Sequence, residues 1–204
     1  MPPWRRGGAP SGAALDLDFF RRPVVEVARA LLGTRLASSL DGVVTTGVIV
    51  ETEAYQGPSD PASHAATAAG RTHRNRAMFG PPGHAYVYRI YGMHWCVNVV
   101  TGAEGDPQAV LVRGLEPLEG IAEMERRRGG RTPLTAGPGR LCEALGITGA
   151  LYGHHLLAPP LRILPGWQVP DRQVVVTGRI GVRAAAERPF RFYVRGSPGV
   201  TPGR

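Results

Sequence analysis

The sequence predicts a single compact domain that mixes β-strands with α-helices, an α+β chain. Its 204 residues are enough to bury one core, and 43% hydrophobic against 20% charged residues is typical of a globular protein. Segments in which apolar and polar residues alternate are interspersed with segments whose apolar residues recur at helical spacing. Residues 1–14 are rich in Pro, Gly and Arg and are expected to form a mobile basic arm, whereas no repeat or linker divides residues 15–204.

The elements follow from local patterns. Pro23 at a first-turn position, apolar residues at helical spacing and Gly33 as a stop predict a helix over 23–32. Alternation predicts strands over 35–40 and 43–55, joined by a turn at Asp41 and Gly42. Residues 56–83 have no sustained period, and a loop that long inside a compact domain is usually functional. The later predictions are strands over 85–100, 108–115, 161–164, 173–182 and 190–194, and helices over 118–128 and 141–145.

Charge and residue usage limit the chemistry. The net charge of +8 and the pI of about 10.4 favour a polyanionic partner. All 24 basic residues are arginine, so a lysine Schiff base cannot form. The two cysteines, Cys96 and Cys142, have no CxxC spacing and are expected to be reduced core residues. Because no close His and carboxylate pairing indicates a metal site, we expect neither a metal nor another cofactor.

The sequence also bears on location. Its first residues lack the apolar stretch of a secretion signal. No apolar run approaches the ~20 residues that a membrane helix needs. These features predict a cytoplasmic protein, in a bacterial-type cytosol or nucleoid, that is neither secreted nor in contact with a membrane.

Two carboxylates lie close together in the strand VIVETEAY, residues 48–55. A period of two puts Glu51, Glu53 and Tyr55 on one face with Ile49, and predicts that the other face, with Val48, Val50, Thr52 and Ala54, is turned to the core. Neighbouring carboxylates repel each other, which tends to raise the pKa of one toward the range useful for a base. The alternative is a pair of solvated surface side chains on a half-exposed strand.

A hairpin with an unusual tip follows. The turn signal at Gly92 is flanked by Tyr91 and Met93, whereas hairpin tips normally carry polar residues. An exposed apolar tip indicates something to insert into, and apolar wedges between base steps are one way in which proteins kink a duplex or replace an extruded nucleotide. The alternative is that both side chains fold back onto the core. Arg89, on the same hairpin, is expected to pair with a carboxylate or to contact a phosphate.

Three further features of the sequence need interpretation: the start of a short helix, Arg113 and His64. Gly137, Gly139 and Arg140 introduce a short helix whose N–H groups either hold a phosphate or form an ordinary loop-to-helix start. Arg113 follows the apolar run AVLV at a strand end. It either supplies a cation to a functional site or is a structural partner of Glu51 or Glu53. His64 lies in the long loop, where a histidine is usually a surface or capping residue.

Longer strings carry a resemblance. ETEAY, the later His64, RTHRNRAMF, GPPGHAYVYRIYGMHWCVNVV, VLVRGLEPLEG, GPGRLCEALGI and RPFRFYVRGSP together resemble the alkyladenine (3-methyladenine) DNA glycosylase family, in the same order from about residue 16 to residue 201. The resemblance implies a curved antiparallel sheet surrounded by helices, with a protruding hairpin. It implies a monofunctional enzyme of base excision repair that flips alkylated or deaminated purines (3-methyladenine, hypoxanthine, ethenoadenine) out of duplex DNA. Water then hydrolyses the N-glycosidic bond, leaving an abasic site. Independently of the resemblance, we expect a monomer, which suits a protein that must engage asymmetric damage in a duplex.

The resemblance also implies roles for individual residues. Glu53 corresponds to the general base that activates water for attack at C1′, with Arg113 and the main-chain carbonyl of Ile180 holding that water. Tyr55, His64 and Tyr88 correspond to the pocket that holds the flipped base. Tyr91, with Met93, corresponds to the residue that fills the vacated stack, and Asn98 to the residue that crowds the exocyclic amino group of guanine. The absence of lysine agrees with direct attack by water and argues against a lyase step.

The resemblance raises a question of register. Tyr88 and Asn98 share a face only if the loop between their strands has an odd number of residues, such as 92–94, or if a bulge intervenes. Residues 148–178 are Pro-rich and receive no assigned role. Two rival interpretations stay open at this point: a helix-hairpin-helix glycosylase, suggested by TAGPGRLCEAL, and a non-catalytic nucleic-acid-binding module that uses its Arg and Tyr residues.

Overall fold

An antiparallel sheet of eight strands organises residues 15–66 and 70–202, the part of the chain that the computed structural model describes. The α+β class is confirmed, and the arm expected over residues 1–14 lies outside the described residues. The strands are β1 Arg35–Ser38, β2 Thr45–Tyr55, β3 Ala85–Ile90, β4 His94–Thr101, β5 Gln108–Glu119, β6 Leu161–Leu164, β7 Val174–Thr177 and β8 Arg191–Val194. The α-helices are α1 Leu17–Arg21, α2 Val24–Ala30, α3 Ile121–Arg127 and α4 Pro138–Leu145.

Strand β2 is the centre of the sheet. The main strand order is β3-β4-β5-β2-β1-β6. Along one edge β2 pairs with β5, and along the other it pairs first with β1, over Thr45–Val48, and then with β8, over Glu51–Glu53. Its register with β5 shifts between Ile49 and Thr52, where the strand leaves one partner for the next. The two glutamates therefore lie at the point where three strands meet.

The prediction for the faces of β2 needs correction. Its last residue, Tyr55, is half-buried, but every other residue of the strand is buried, so both faces are packed. Glu51 and Glu53 are each 0% exposed, and the interpretation of a solvated surface pair is wrong. A central strand that is covered on both sides has no solvent face for polar residues to occupy.

The two sides of the sheet carry different layers. The main core joins helix residues such as Phe20, Val27 and Leu141 to Val97 and Val99 of the sheet. On the opposite face of the hairpin, Tyr86 and Val100 form a smaller cluster with Ala65 and Met78 from the long loop. Loop 56–83, where it is described, thus covers the face of the hairpin that the main core leaves free. Cys96 and Cys142 are buried and not in a disulfide, and the predicted core position of both is confirmed.

Several predicted boundaries were wrong. The helix expected from residue 118 begins at Ile121, because β5 continues to Glu119. Gly120 makes that junction at a φ of 72°, with room for no side chain, since a Cβ would lie 2.3 Å from the Val44 carbonyl oxygen. The short helix α1, capped by Asp16, was not predicted. The strand expected over 173–182 ends at Thr177, and residues 178–182 belong to a loop.

No helix in the described ranges has the length and apolarity needed to cross a membrane.

Candidate active site

A cavity of about 540 Å³ opens between the hairpin, the long loop and the segment after β7. Most residues that the resemblance assigns to base binding and hydrolysis line it. They are Tyr55, His64, Tyr88, Asn98, Arg113 and Ile180. The lining also includes Tyr91, which the resemblance assigns to the vacated stack, and Tyr86, Cys96, Pro138 and Gly139. The volume lies within the range of sites that enclose a small organic group.

The hairpin presents one face to the cavity. Tyr86 pairs with Asn98 and Tyr88 with Cys96, so all four side chains point to the same side of the sheet. The predicted odd-numbered loop is confirmed: it holds the three residues 91–93, one position earlier than expected. The amide Nδ2 of Asn98 donates to the Tyr86 carbonyl at 3.0 Å, which fixes the Asn98 side chain in the cavity wall.

The Glu53 carboxylate lies directly behind the cavity wall and is held by three groups. Its Oε1 accepts from the Ile180 N–H at 2.7 Å, and its Oε2 accepts from the Tyr55 hydroxyl at 2.9 Å and from Arg113 Nη1 at 3.3 Å. Burial raises the pKa of Glu53, and Arg113, the Ile180 N–H and the Tyr55 hydroxyl oppose that rise. Repulsion from Glu51 adds least, so burial replaces the predicted repulsion as the main cause.

The second carboxylate has a different environment. Glu51 Oε1 accepts from Arg191 Nε at 2.7 Å, and its Oε2 accepts from both the N–H and the hydroxyl of Thr201 at 2.6 Å. Arg113 Nε lies 3.3 Å from Glu51 Oε1 as well. Both carboxylate oxygens of Glu51 are therefore occupied by structural partners. Glu51 fixes Arg113, and Glu53 remains as the carboxylate that meets the cavity wall.

Arg113 and Ile180 complete the group around Glu53. Arg113 Nη1 is 3.3 Å from Glu53 Oε2 and 3.4 Å from the main-chain carbonyl oxygen of Ile180, to which it donates. The cationic and structural interpretations of Arg113 are therefore compatible, because it contacts both glutamates and lines the cavity. Arg113 Nη1 thus links a carboxylate to a main-chain carbonyl oxygen beside the cavity, and these three groups are of the kinds that can hold and deprotonate a water molecule.

Aromatic rings form the cavity walls. His64 meets Tyr88 edge-on, with ring centroids 4.6 Å apart, and its Nδ1 lies 2.8 Å from the Tyr86 hydroxyl. Burial, and next the charge of Arg74, lowers the pKa of His64, which favours a neutral ring at physiological pH. Burial raises the pKa of Tyr86 to about 12 and also raises that of Tyr88, so both phenols stay neutral. His64 is half-buried, and its ring contacts Tyr86 and Tyr88 in the cavity wall.

The apolar hairpin tip is exposed. Tyr91 is 83% and Met93 66% exposed, so the alternative in which they fold back onto the core is wrong. Tyr91 and Gly92 have φ values of 53° and 70°, and the Met93 N–H donates to the Ile90 carbonyl at 3.2 Å. Positive φ values at two successive positions are typical of tight hairpin turns, and the tip presents its two large apolar side chains to solvent. Tyr91 also lines the cavity mouth.

The residues expected to contact DNA phosphates differ in whether their donor groups are already bonded within the protein. The Gly137 N–H donates to the Arg113 carbonyl at 3.0 Å, so it is not left for a phosphate. Gly139 packs against His94, where an added Cβ would come within 3.0 Å, and Arg140 Nη1 donates to the Ala136 carbonyl at 3.0 Å. The exposed Arg89 holds its guanidinium 5.1 Å from the Trp95 ring, a contact that the sequence did not predict.

Sequence reasoning missed several residues of the site. Tyr86 shares the face of Tyr88 by the period of two, a signal that was available. Asp60 and Arg179 form a buried ion pair beside the cavity although 119 positions separate them, and no local pattern indicates the pairing. Within the described ranges, no group of three His, Cys, Asp or Glu residues is arranged to hold a metal ion.

Known proteins resemble this chain over most of its length. A family model described as methylpurine-DNA glycosylase (MPG) matches residues 18–198. A protein of Methanoculleus marisnigri, provisionally named a 3-methyladenine DNA glycosylase, is 51% identical over 188 residues, which cover 90% of this chain and 96% of that protein. Proteins with the same provisional name are 50% identical in Myxococcus xanthus (93% and 94% covered) and 46% identical in Carboxydothermus hydrogenoformans (92% and 98% covered).

Proposed function

Since this chain belongs to the methylpurine-DNA glycosylase family, whose members are DNA repair enzymes that hydrolyse N-glycosidic bonds, we propose that it removes alkylated or deaminated purines from duplex DNA. The substrates are 3-methyladenine, hypoxanthine and ethenoadenine, and the product is an abasic site. The observation that carries the proposal is the convergence of Glu53, Arg113 and the Ile180 carbonyl beside a cavity walled by aromatic rings. Because the chain belongs to this family, the rival interpretation as a helix-hairpin-helix glycosylase is excluded.

Glu53 is the general base of the proposed reaction. A water oxygen forms a bond to C1′ of the flipped nucleotide, its proton passes to Glu53, and the N-glycosidic bond breaks with its electron pair leaving on the base. Arg113 and the Ile180 carbonyl oxygen position that water. The negative charge of Glu53 also stabilises the positive character that develops on the sugar. The raised pKa of Glu53 supports this role, since a base works best when its pKa approaches the working pH.

The aromatic walls suit a cationic base. Tyr55, His64 and Tyr88 offer neutral, electron-rich rings, and a positively charged alkylpurine between them gains about 1–2 kcal/mol that a normal purine does not. An alkylated purine is already a good leaving group, so little protonation is needed. Asn98, held by its bond to Tyr86, crowds the position of the guanine amino group and biases the pocket toward adenine lesions.

The exposed hairpin tip is the proposed wedge. Tyr91 enters the stack that the flipped nucleotide leaves, with Met93 beside it, because an apolar side chain lowers the cost of an open base step. Two places contact the DNA backbone in this proposal: the hairpin, through Arg89, and the start of α4, through Gly139 and Arg140. We propose that the protein is a monomer and works on DNA in the cytosol or nucleoid. We also propose that it has no lyase step, because the chain contains no lysine to form a Schiff base.

Base release decides the proposal. Duplex oligonucleotides that contain hypoxanthine, ethenoadenine or 3-methyladenine are incubated with the protein, and the free base and the abasic site are both measured. An undamaged duplex of the same sequence is the control. We expect release of at least one of these bases, with strand breaks only after alkali. No release from any of the three would overturn the proposal, and strand cleavage without alkali would overturn the monofunctional reaction.

A further inference from the structure

On the basis of the function proposed above, we infer that the buried ion pair of Asp60 and Arg179 is a positioning element of the hydrolytic site, which holds the main chain of Ile180 against Glu53. Both side chains are 0% exposed. Arg179 Nη2 donates to Asp60 Oδ1 at 2.7 Å, and Arg179 Nη1 donates to the other carboxylate oxygen, so the contact is bidentate.

The Arg179 side chain joins separate parts of the cavity wall. Its Nη1 also donates to the carbonyl of Ala54, at 3.0 Å, the residue between Glu53 and Tyr55 on β2. Its Nη2 donates to the Ala185 carbonyl at 3.2 Å, and its own N–H donates to the Ala186 carbonyl at 3.1 Å. The loop over residues 178–186 is thereby closed at its base and tied to β2. Ile180 is the next residue along that loop.

Asp60 organises the wall on the other side. Its two oxygens accept from the N–H groups of Gln56 and Ala62, each at 3.2 Å, so the carboxylate shapes the turn that follows β2. Pro61 and Ala62, in the same turn, line the cavity. The ion pair therefore connects the turn after β2 with the loop that carries Ile180, and both segments border the space where the base is proposed to lie.

Arg179 also supports a second donor to Glu53. Its guanidinium carbon lies 4.8 Å from the centroid of the Tyr55 ring and 5.4 Å from that of Phe190. The hydroxyl of Tyr55 donates to Glu53. Arg179 is thus connected to two donors to the Glu53 carboxylate. It contacts the ring of Tyr55, whose hydroxyl is one donor, and it directly precedes Ile180 in sequence, whose N–H is the other.

An ion pair is a poor choice here if stability is its only purpose. Two fully buried charges cost several kcal/mol in desolvation, and an apolar pair of similar volume often stabilises a protein as well or better. What an apolar pair lacks is the fixed fork of donors that reaches a carboxylate and two main-chain carbonyls at once. The geometry therefore points to positioning, and a shift of about 1 Å at a reacting centre costs on the order of 100-fold in rate.

Movement of the Ile180 loop would also change the pH dependence. The Ile180 N–H opposes the rise in the pKa of Glu53 that burial causes. If the loop moves away, that pKa rises further, and the acid limb of the rate profile moves to higher pH. The charged and titratable groups that face Glu53 are Glu51 and Tyr55 on β2, Tyr88 on β3, Cys96 on β4, Arg113 on β5 and Arg179 after β7.

The experiment compares Arg179→Lys with Arg128→Lys. Lysine keeps the positive charge opposite Asp60 but cannot form the bidentate contact and both carbonyl bonds. Arg128 is the matched control, because it is also buried and paired with a carboxylate, Glu143, on residues that do not line the cavity. Single-turnover rates of hypoxanthine release are measured across pH with enzyme in excess, together with the affinity for the lesion duplex.

We expect Arg179→Lys to lower the rate at neutral pH by about 100-fold and to shift the acid limb to higher pH, with lesion-duplex affinity within about threefold of wild type. Asp60→Asn should act in the same direction, and Arg128→Lys should leave rate and profile unchanged. A variant that only folds poorly has a smaller active fraction, which titration with lesion duplex measures, whereas its acid limb stays in place. A wild-type rate and profile for Arg179→Lys, or a smaller active fraction alone, overturns the inference while the proposed function stands. If wild type releases no base, the proposed function fails, and the inference with it.

Discussion

Replacement of Glu53 by glutamine tests the proposed chemistry at a single atom. The glutamine amide keeps the volume of the side chain, and its oxygen can accept from the Ile180 N–H as Glu53 Oε1 does at 2.7 Å. The new NH₂ group then occupies the position of Oε2, 3.3 Å from Arg113 Nη1, where a donor meets a donor. More importantly, an amide cannot take a proton from water. The fold should survive this change, and the hydrolytic step should not.

The expected size of the effect follows from the proposed role. General base catalysis contributes about 10²- to 10⁴-fold, which corresponds to about 2.7–5.4 kcal/mol in the barrier. Glu53→Gln should therefore slow the single-turnover release of hypoxanthine by at least about 100-fold. Affinity for the lesion duplex should change little, because Glu53 is buried behind the cavity wall and faces no phosphate.

Glu51→Gln is the matched control for this prediction. It is the same chemical change, two residues away on the same strand, at an equally buried side chain. Glu51 is bound by Arg191 and Thr201, so its replacement leaves buried partners unpaired and should lower stability by about 3–5 kcal/mol. The rate for each folded molecule should fall less than tenfold. Circular dichroism melting and active-site titration separate the two effects.

Three outcomes would contradict this role for Glu53. If Glu53→Gln releases hypoxanthine within tenfold of the wild-type rate, Glu53 is not the base. A larger rate loss for Glu51→Gln than for Glu53→Gln, after correction for the folded fraction, would mean that the role belongs to the other glutamate. A loss of duplex affinity equal to the loss of rate would indicate a binding residue in place of a catalytic one.

Five further measurements test the same site. Tyr91→Ala should slow release from duplex by about 5- to 150-fold, the equivalent of one lost stacking contact of about 1–3 kcal/mol, with a smaller effect on a single-stranded substrate; equal losses on both would contradict a wedge. Asn98→Ala should raise release of methylated guanine relative to methylated adenine, and an unchanged ratio would remove Asn98 from base selection. Burial raises the pKa of Glu53, so wild-type activity should fall as the pH drops through that pKa and the limb should vanish in Glu53→Gln. Because the pKa of Glu53 is higher in the folded state, the stability that protonated Glu53 contributes is fully present below its unfolded-state pKa and is lost as the pH rises through the folded-state pKa. Glutamine does not titrate, so the Tm of Glu53→Gln should rise relative to the Tm of wild type as the pH rises. Duplex affinity should fall at least about tenfold between about 50 and 200 mM salt if several phosphates are contacted, and an affinity indifferent to salt would contradict DNA as the partner.

Much of the fold could be predicted because its cause is local. Alternation along residues 43–55 and 85–100 follows from the opposite directions of successive side chains in a strand, and each strand formed close to where the pattern predicts it. The odd-numbered hairpin loop followed from the same period once the resemblance assigned Tyr88 and Asn98 to one pocket, because the two can share a face in one parity only. Helix α1, with five residues, was too short to show a period and was missed.

The candidate site divides in the same way. The string ETEAY and the ordered motifs around it indicated the residues that the cavity gathers, from Tyr55 to Ile180. They did not indicate that both faces of β2 are buried, because that depends on the strand lying between β5 on one edge and β1 and β8 on the other. Burial in turn sets the direction of the Glu53 pKa, which the spacing of two glutamates alone attributed to the wrong main cause.

The class of fold, the period of its strands and the apolar hairpin tip could thus be read from neighbours in sequence, whereas the candidate residues came from the ordered motifs of the family resemblance. Which charges are partners depended on the tertiary fold. All 24 basic residues are arginine, so residue type could not separate those that bind the buried carboxylates from those in solvent. Arg113, Arg179 and Arg191 are distinguished by contacts across 60, 119 and 140 positions, and such contacts exist only once the sheet has brought distant segments together.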